Sequence, residues 1–492
     1  MVMRKYTLEC IVFISGAIVM VYELVGSRLI SPYVGTSIYV WSSLIGVILG
    51  SLSLGYYCGG KLADRKADWR FFSGILFFAA IFIGLTVFTK HIILEAVAVS
   101  NMRSEYTALL ASLFLFAPAS ILLGMISPFS VKLRIESLES SASTVGNLYA
   151  ISTIGSIAGT FAAGFFIIPF FGTTKILLFM SVILLGLSLG AGWKAFFKTK
   201  AILICLFLGL AFFGNVHGFF EKKGMIDIDT PYNKVWISYE ERAANPMVVL
   251  YTDPFAAQSA MYLNDQELVF TYTKYFRLAK HFNPDIQTAL MIGGCGYSYP
   301  KDFLRNFPRS TMDVVEIDPG MTKIARQYFG LNDNSRLRIF HEDARTFLNR
   351  TRERYDVIYS DAFNSFNSVP YQLATSEAVE KMYGALNGKG LVVQNIISAI
   401  DGKKGEFLRA EIATYKKFFP QVYIFRVHKA DSHESQNIIL IALKDPEVPL
   451  FRSPDRELDT YLGSVWNKEV ARDMPVITDD HAPVEYYKFR SM

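Results

Sequence analysis

The sequence predicts two units of different class: an N-terminal all-α transmembrane bundle of about seven helices over residues 1–220, and a C-terminal α/β domain with a parallel sheet over residues 221–492. Three observations predict this. Apolar runs of membrane length crowd the first part of the chain, the composition turns at Glu221-Lys222-Lys223, and beyond it β-branched strands alternate with helical stretches and end in glycines or acids.

Of 492 residues, 51% are hydrophobic and only 19% charged, against about 25% charged in soluble domains. The net charge of +5 is spread without a Lys/Arg run or basic stripe, which argues against nucleic acid as a partner. Cys10, Cys58, Cys205 and Cys295 are isolated and the seven histidines are scattered, so neither a disulfide framework nor a metal site is expected.

The apolar runs lie near 8–30, 38–60, 71–89, 106–131, 144–171, 175–193 and 201–219. The first is too long for a cleaved signal, contains Glu23 and lacks a small-residue cleavage pattern, so it reads as a retained helix. Basic residues gather at Arg4/Lys5, Lys61/Arg65/Lys66/Arg70, Lys132/Arg134 and Lys194/Lys198/Lys200, the N-terminus and every second loop. That pattern predicts a multi-pass membrane protein with a cytoplasmic N-terminus and the bilayer as partner. Seven crossings would leave the second unit outside, whereas a missed or re-entrant span, in 144–171 or around Lys90 to Asn101, would return it to the cytoplasm; its side stays open.

Gly46, Gly50, Gly55 and Gly59, and later Gly155 and Gly159, have the spacing of close helix packing. Glu23 is a functional candidate, since a carboxylate in hydrocarbon costs about 3 kcal/mol or more without a partner. The alternative is a structural bond to Arg28, Tyr22 or a serine of a neighbouring helix.

In the second unit, alternating segments Val235–Tyr239, Val248–Tyr251 and Ser259–Leu263 predict an antiparallel hairpin region, followed by a helix over Leu268–His281. Strand Thr288–Ile292 then runs into Gly293-Gly294-Cys295-Gly296 and a helix to Asn306. Strand Met312–Val315 ends in Glu316-Ile317-Asp318, Leu337–Phe340 in His341-Glu342-Asp343, and Tyr355–Ser360 in Asp361, with helices Met321–Tyr328, Ala344–Arg350 and Thr375–Leu386. In such a βαβα order ligands sit at the carboxyl ends of the strands, where the glycine turn and these acids fall. Glu316, about 20 residues past the turn, suits ribose hydroxyls, and Tyr299 holds the place where a dinucleotide site wants a third glycine. An adenosyl sulfonium is favoured over a nicotinamide. Helix N-capping is the competing reading for Glu316, Asp343 and Asp361.

On Gly293 to Gly296, Glu316 to Asp318, Asp343 and Asp361, the second unit resembles the spermidine synthases over roughly residues 230–400. Glu23-Leu24-Val25-Gly26-Ser27-Arg28, Ser31-Pro32-Tyr33 and Gly59 to Arg65 resemble the membrane region of a bacterial branch in which helices precede such a domain, which implies the bacterial inner membrane as its location. The resemblance implies a Rossmann-like methyltransferase or spermidine-synthase type fold that transfers an aminopropyl group from decarboxylated S-adenosylmethionine to an amine such as putrescine, making polyamines. It implies cofactor binding by Gln258, Gly293, Gly294, Gly296, Glu316, Asp318, Asp343 and Ala344, and catalysis by Asp361 as base with Tyr272. Holding a neutral alkylamine at pH 7 costs about 4.6 kcal/mol, so a base is the central requirement. The family's acid in the glycine turn is Gly296 here, the second acid of its Asp-rich loop is Asn364, and the acid after its tyrosine is replaced by Thr273-Lys274. Asp479 and Asp480 would compensate as substrate carboxylates if they fold over the cleft. A small-molecule amine is the implied partner, and a homodimer is left open. Two other readings stand: a methyltransferase using intact S-adenosylmethionine, and a non-catalytic polyamine transporter or sensor.

Overall fold

The computed structural model describes residues 2–490 apart from 36, 99–103, 136–140, 193–196, 213–223, 242–244, 254–255, 364–368 and 429–430. Two units separate, Met1–Lys223 and Gly224–Met492.

In the first unit six helices among the described residues are long and apolar enough to cross a membrane. They are α1 (Val2–Val34), α2 (Ile38–Arg65), α3 (Trp69–Ala98), α4 (Ser104–Arg134), α5 (Ser141–Ala162, continued by a π-helical turn at Ala163–Ile167 as far as Phe170) and α6 (Thr173–Ala191). The expected seventh span lies partly outside the described residues. Its run begins in α7 (Phe197–Phe212), 16 residues that rise only about 24 Å against about 30 Å of hydrocarbon, and residues 213–219 lie outside the described ones. Lys90 falls within α3, so no extra span begins there.

Small residues decide how closely these helices approach. A Cβ on Gly55 would lie 2.9 Å from Gly124 Cα of α4, one on Gly59 2.8 Å from Met125 Cα, and one on Gly159 2.6 Å from Ala17 Cα of α1. Gly46 and Gly50 have no such neighbour, so only the second half of α2 uses the spacing. Glu23 is half-buried. Its expected partners are engaged elsewhere: the Tyr22 hydroxyl donates to the Leu115 carbonyl at 3.0 Å, and Arg28 to the Ile168 carbonyl at 3.0 Å. Glu23 itself has no hydrogen-bond or ion-pair partner among the described residues.

The second unit opens on an antiparallel sheet of β1 (Met225–Asp229), β2 (Lys234–Glu240), β3 (Met247–Tyr251) and β4 (Ala257–Tyr262). Strand β1 adds to the three expected. The Leu268–His281 helix is broken into α8 (Thr271–Tyr275), a 3₁₀ turn at Phe276–Leu278 and a last turn at Ala279–Phe282. Aromatic residues are weak helix formers, and Phe276 packs edge-on to Tyr299 at 5.0 Å, so tertiary contacts set the backbone here.

The main sheet follows in the order β10-β11-β9-β8-β5-β6-β7. Its parallel part comprises β5 (Thr288–Ile292), β6 (Thr311–Val315), β7 (Leu337–Phe340), β8 (Tyr355–Ser360) and β9 (Leu386–Ser398). Helices α9 (Ser298–Asn306), α10 (Pro319–Tyr328), α11 (Ala344–Arg350) and α12 (Ser376–Gly384) connect them. The expected helix to Leu386 stops at Gly384 because Leu386 already opens β9. Beyond α13 (Glu406–Tyr415), β10 (Gln421–Arg426) and β11 (Gln436–Leu443) close the sheet antiparallel. Successive β9 residues alternate between two apolar cores: Leu391 and Val393 on one face, Val392 and Ile396 on the other.

Candidate active site

The glycine turn between β5 and α9 is built by backbone demands. Gly293 has φ +92°, and a Cβ there would lie 2.6 Å from the Asp361 carbonyl oxygen. A Cβ on Gly294 would lie 2.7 Å from the Tyr297 ring. Cys295 at φ 45° and Tyr297 at φ 54° are left-handed, each costing roughly 1–2 kcal/mol that the surroundings must offset. At Gly296 the place of a side chain is filled by Ser259 of β4, so the turn has no room for the acid expected there on family grounds. Burial, with Glu316 close by, pushes the Cys295 thiol up, and it stays protonated.

Glu316 closes the turn from β6. One carboxylate oxygen accepts from the Gly294 and Cys295 amides at 2.9 and 3.0 Å, and the other from the Asp318 amide at 2.9 Å. Burial pushes its pKa up against these three bonds. A carboxylate has about four acceptor sites, so Glu316 holds the turn first and has little left for a ligand. Asp318 is fully buried and committed: it caps α10 through Gly320 N at 2.8 Å and accepts from Thr230 and Asn233, tying the first sheet to the second. Asp343 caps α11 through Thr346 N at 2.9 Å, with Ala344 half-buried beside it. Capping therefore holds for Asp318 and Asp343, and not for Glu316 or Asp361.

Asp361 sits where β8 ends. Its Oδ2 accepts from the Tyr272 hydroxyl of α8 at 3.1 Å, and its Oδ1 from Asn395 Nδ2 of β9 at 3.0 Å. Burial pushes its pKa up to about 6, while Asn395 and Tyr272 pull it down. The Tyr272 phenol is pushed well above its ordinary value by burial and by the Asp361 charge, so it remains a donor. The structure thus brings Tyr272, Gly293 and Asp361 together. Gln258 lies half-buried on β4, its amide making no hydrogen bond among the described residues.

Asp479 is engaged by neighbouring side chains. The Asp479 carboxylate is taken up by Arg345 at 2.7 Å and Thr375 at 2.7 Å, which fastens the C-terminal segment to α11 and α12. Asp480 is exposed, and Asn364 lies outside the described residues. Sequence reading missed Asn395 and Ser259. The signal for Asn395 was the polar pair Gln394-Asn395 inside the apolar run from Leu391 to Ile397.

Residues 269–445 match the family model described as the spermine/spermidine synthase domain. That match lies wholly within the second unit. The polyamine aminopropyltransferase of Vibrio vulnificus (strain CMCP6) is 31% identical over 182 residues, 36% of this chain and 58% of that one, so the chain spans little more than half of that relative. Polyamine aminopropyltransferase 1 of Streptomyces coelicolor is 23% identical over 379 residues, 73% of this chain and 69% of that one. The crystal structure of a probable spermidine synthase from Corynebacterium glutamicum ATCC 13032 aligns with 20% identity and a TM-score of 0.40, covering 51% of this chain and 89% of that one.

Proposed function

We propose that this chain is a membrane-anchored aminopropyltransferase, which takes the aminopropyl group of decarboxylated S-adenosylmethionine and transfers it to an amine. The observation that carries the reading is Asp361, whose carboxylate is hydrogen-bonded on both oxygens and whose backbone carbonyl abuts Gly293 of the glycine turn. The donor brings its own leaving group. What the protein supplies is a neutral amine held in line. Asp361 takes a proton from the bound ammonium; the freed nitrogen lone pair attacks the carbon next to sulfur; the carbon–sulfur bond breaks with its electron pair going to sulfur, leaving methylthioadenosine. Tyr272 and Asn395 hold Asp361 in place for that transfer. Glu316 and the turn position the nucleoside end, with Gln258 free to donate to it.

The test uses the full-length protein in detergent with each sulfonium donor and an amine, reading methylthioadenosine release. Asp361→Asn should lower kcat/KM by roughly 10²- to 10⁴-fold, the usual weight of a general base. Equal activity in the variant would remove the proposed base. Methyl transfer from intact S-adenosylmethionine with no turnover of the decarboxylated donor would make the chain a methyltransferase instead.

A further inference from the structure

The turn between β1 and β2, Thr230-Pro231-Tyr232-Asn233, is closed on itself: Thr230 N donates to the Asn233 carbonyl at 2.9 Å, and Asn233 N to Thr230 Oγ1 at 2.8 Å. The closed turn is seated on the main sheet. The Thr230 hydroxyl donates to Asp318 Oδ2, and Asn233 Nδ2 donates to the same oxygen at 3.1 Å. Asp318 Oδ1 caps α10 through Gly320 N at 2.8 Å. Thr230 is 5% exposed and Asp318 0%, so these bonds lie out of water. A Cβ on Gly320 would lie 2.6 Å from Thr230 Cβ, so the turn is pressed flush against the first turn of α10.

A second link runs from Asp318 to the glycine turn. Its backbone amide donates to Glu316 Oε1 at 2.9 Å, and Glu316 Oε2 accepts from the Gly294 and Cys295 amides at 2.9 and 3.0 Å. Carboxylate and amide of Asp318 belong to one residue, so fixing the first from the β1–β2 turn fixes the second, which orients Glu316. The glycine turn needs that support. It contains two left-handed non-glycine residues, Cys295 and Tyr297, a backbone that persists only where its surroundings over-determine it. Without the Thr230 hydroxyl, Oδ2 of a fully buried carboxylate keeps the Asn233 amide alone as donor. Asp318 relieves that loss by moving, and its amide moves with it.

We infer that Thr230 is a positioning residue for the nucleoside end of the donor: through Asp318 and Glu316 it holds the glycine turn in the shape that receives the adenosyl group, and it takes no part in amine binding or proton transfer. This rests on the aminopropyltransferase reading. The test uses the full-length protein in detergent with three variants: Thr230→Val, which keeps the shape and removes the hydroxyl, Thr230→Ser, which keeps the hydroxyl, and Asn233→Ala. Titration with methylthioadenosine reads nucleoside affinity, and kinetics with decarboxylated S-adenosylmethionine and putrescine read kcat and both KM values. Thr230→Val should raise the methylthioadenosine Kd and the donor KM by about tenfold, the weight of one hydrogen bond to a charged group. Its kcat at saturating donor and its putrescine KM should stay within about twofold of wild type, as for a lost binding interaction. Thr230→Ser should stay close to wild type, and Asn233→Ala should lose roughly threefold in nucleoside affinity. A Thr230→Val protein that melts lower yet binds methylthioadenosine as wild type does, or whose defect is matched by Thr230→Ser, overturns the inference and leaves the transferase reading standing. If Thr230→Val does not fold, Asn233→Ala decides: a raised Kd supports the inference and an unchanged one overturns it. Wild-type protein that binds neither methylthioadenosine nor the donor overturns both.

Discussion

Asp361 carries its proton up to about pH 6 because burial disfavours the charged form, so at pH 7 roughly nine-tenths of it is ionised and able to accept a proton. The rate of amine transfer should rise with pH through about 6 and level off above, tracing one ionisation; a profile flat from pH 5 to 8 would show that another group is the base. Stability runs the other way. A carboxyl whose folded pKa lies above its unfolded value of 3.8 lends stability that is complete below about pH 4 and lost as pH rises through about 6. Asp361→Asn should therefore melt higher than wild type at pH 7.5 and no higher at pH 4, although activity falls. Gly296 poses a separate steric question. An acid restored there must displace Ser259, whose Cβ lies 2.9 Å from where the new Cβ would be. Gly296→Asp alone should cost about 1–3 kcal/mol, read as a lower denaturant midpoint, and Ser259→Gly in the same chain should recover part of it. If the second change recovers nothing, Ser259 is not what excludes the side chain. The acids at strand ends were legible because each follows an apolar strand. Ser259 was not, since a steric stop between two distant segments leaves no mark in either.

At the scale of the element, α2 offers an internal comparison. Gly55 and Gly59 touch the α4 backbone, while Gly46 and Gly50, of identical spacing, touch nothing within 4 Å. Gly55→Leu or Gly59→Leu should break the α2–α4 seam, seen as aggregation or loss of a monodisperse peak in detergent, while Gly46→Leu and Gly50→Leu should leave the peak intact. Equal damage from all four would mean that the seam is not where α2 gains its packing energy. The sequence pattern could mark all four glycines and could not say which faced a helix, because small-residue spacing is satisfied as well by lipid. The same limit explains the broken Leu268–His281 segment, where aromatic packing overrides helical periodicity. It also explains why β9 to β11 went unread: buried on both faces, their apolar runs lack the alternation that announces a strand. The parallel β5 to β8 were readable because glycine or acid punctuates each end.

For the whole molecule the count of crossings sets where the chemistry takes place. The basic clusters at Arg4/Lys5, Lys61 to Arg70, Lys132/Arg134 and Lys194 to Lys200 fall at the start of α1, around the end of α2, at the end of α4 and after α6, as expected if those four points share the cytoplasmic side. Six crossings bring the chain back to the side from which it started. The described part of α7, 16 residues, is too short to add a seventh on its own. The second unit should then face the cytoplasm, where an adenosyl sulfonium donor is made and kept. A fluorescent protein fused after Met492 should light up and alkaline phosphatase at the same point should stay inactive, since the first folds in the cytoplasm and the second needs the oxidising side for its disulfides. The reverse result would mean that the apolar run from α7 to residue 219 crosses after all. A catalytic unit cut off from cytosolic donor would then weaken the transferase reading, and Glu23, half-buried in α1 without a partner among the described residues, would become the group to mutate first.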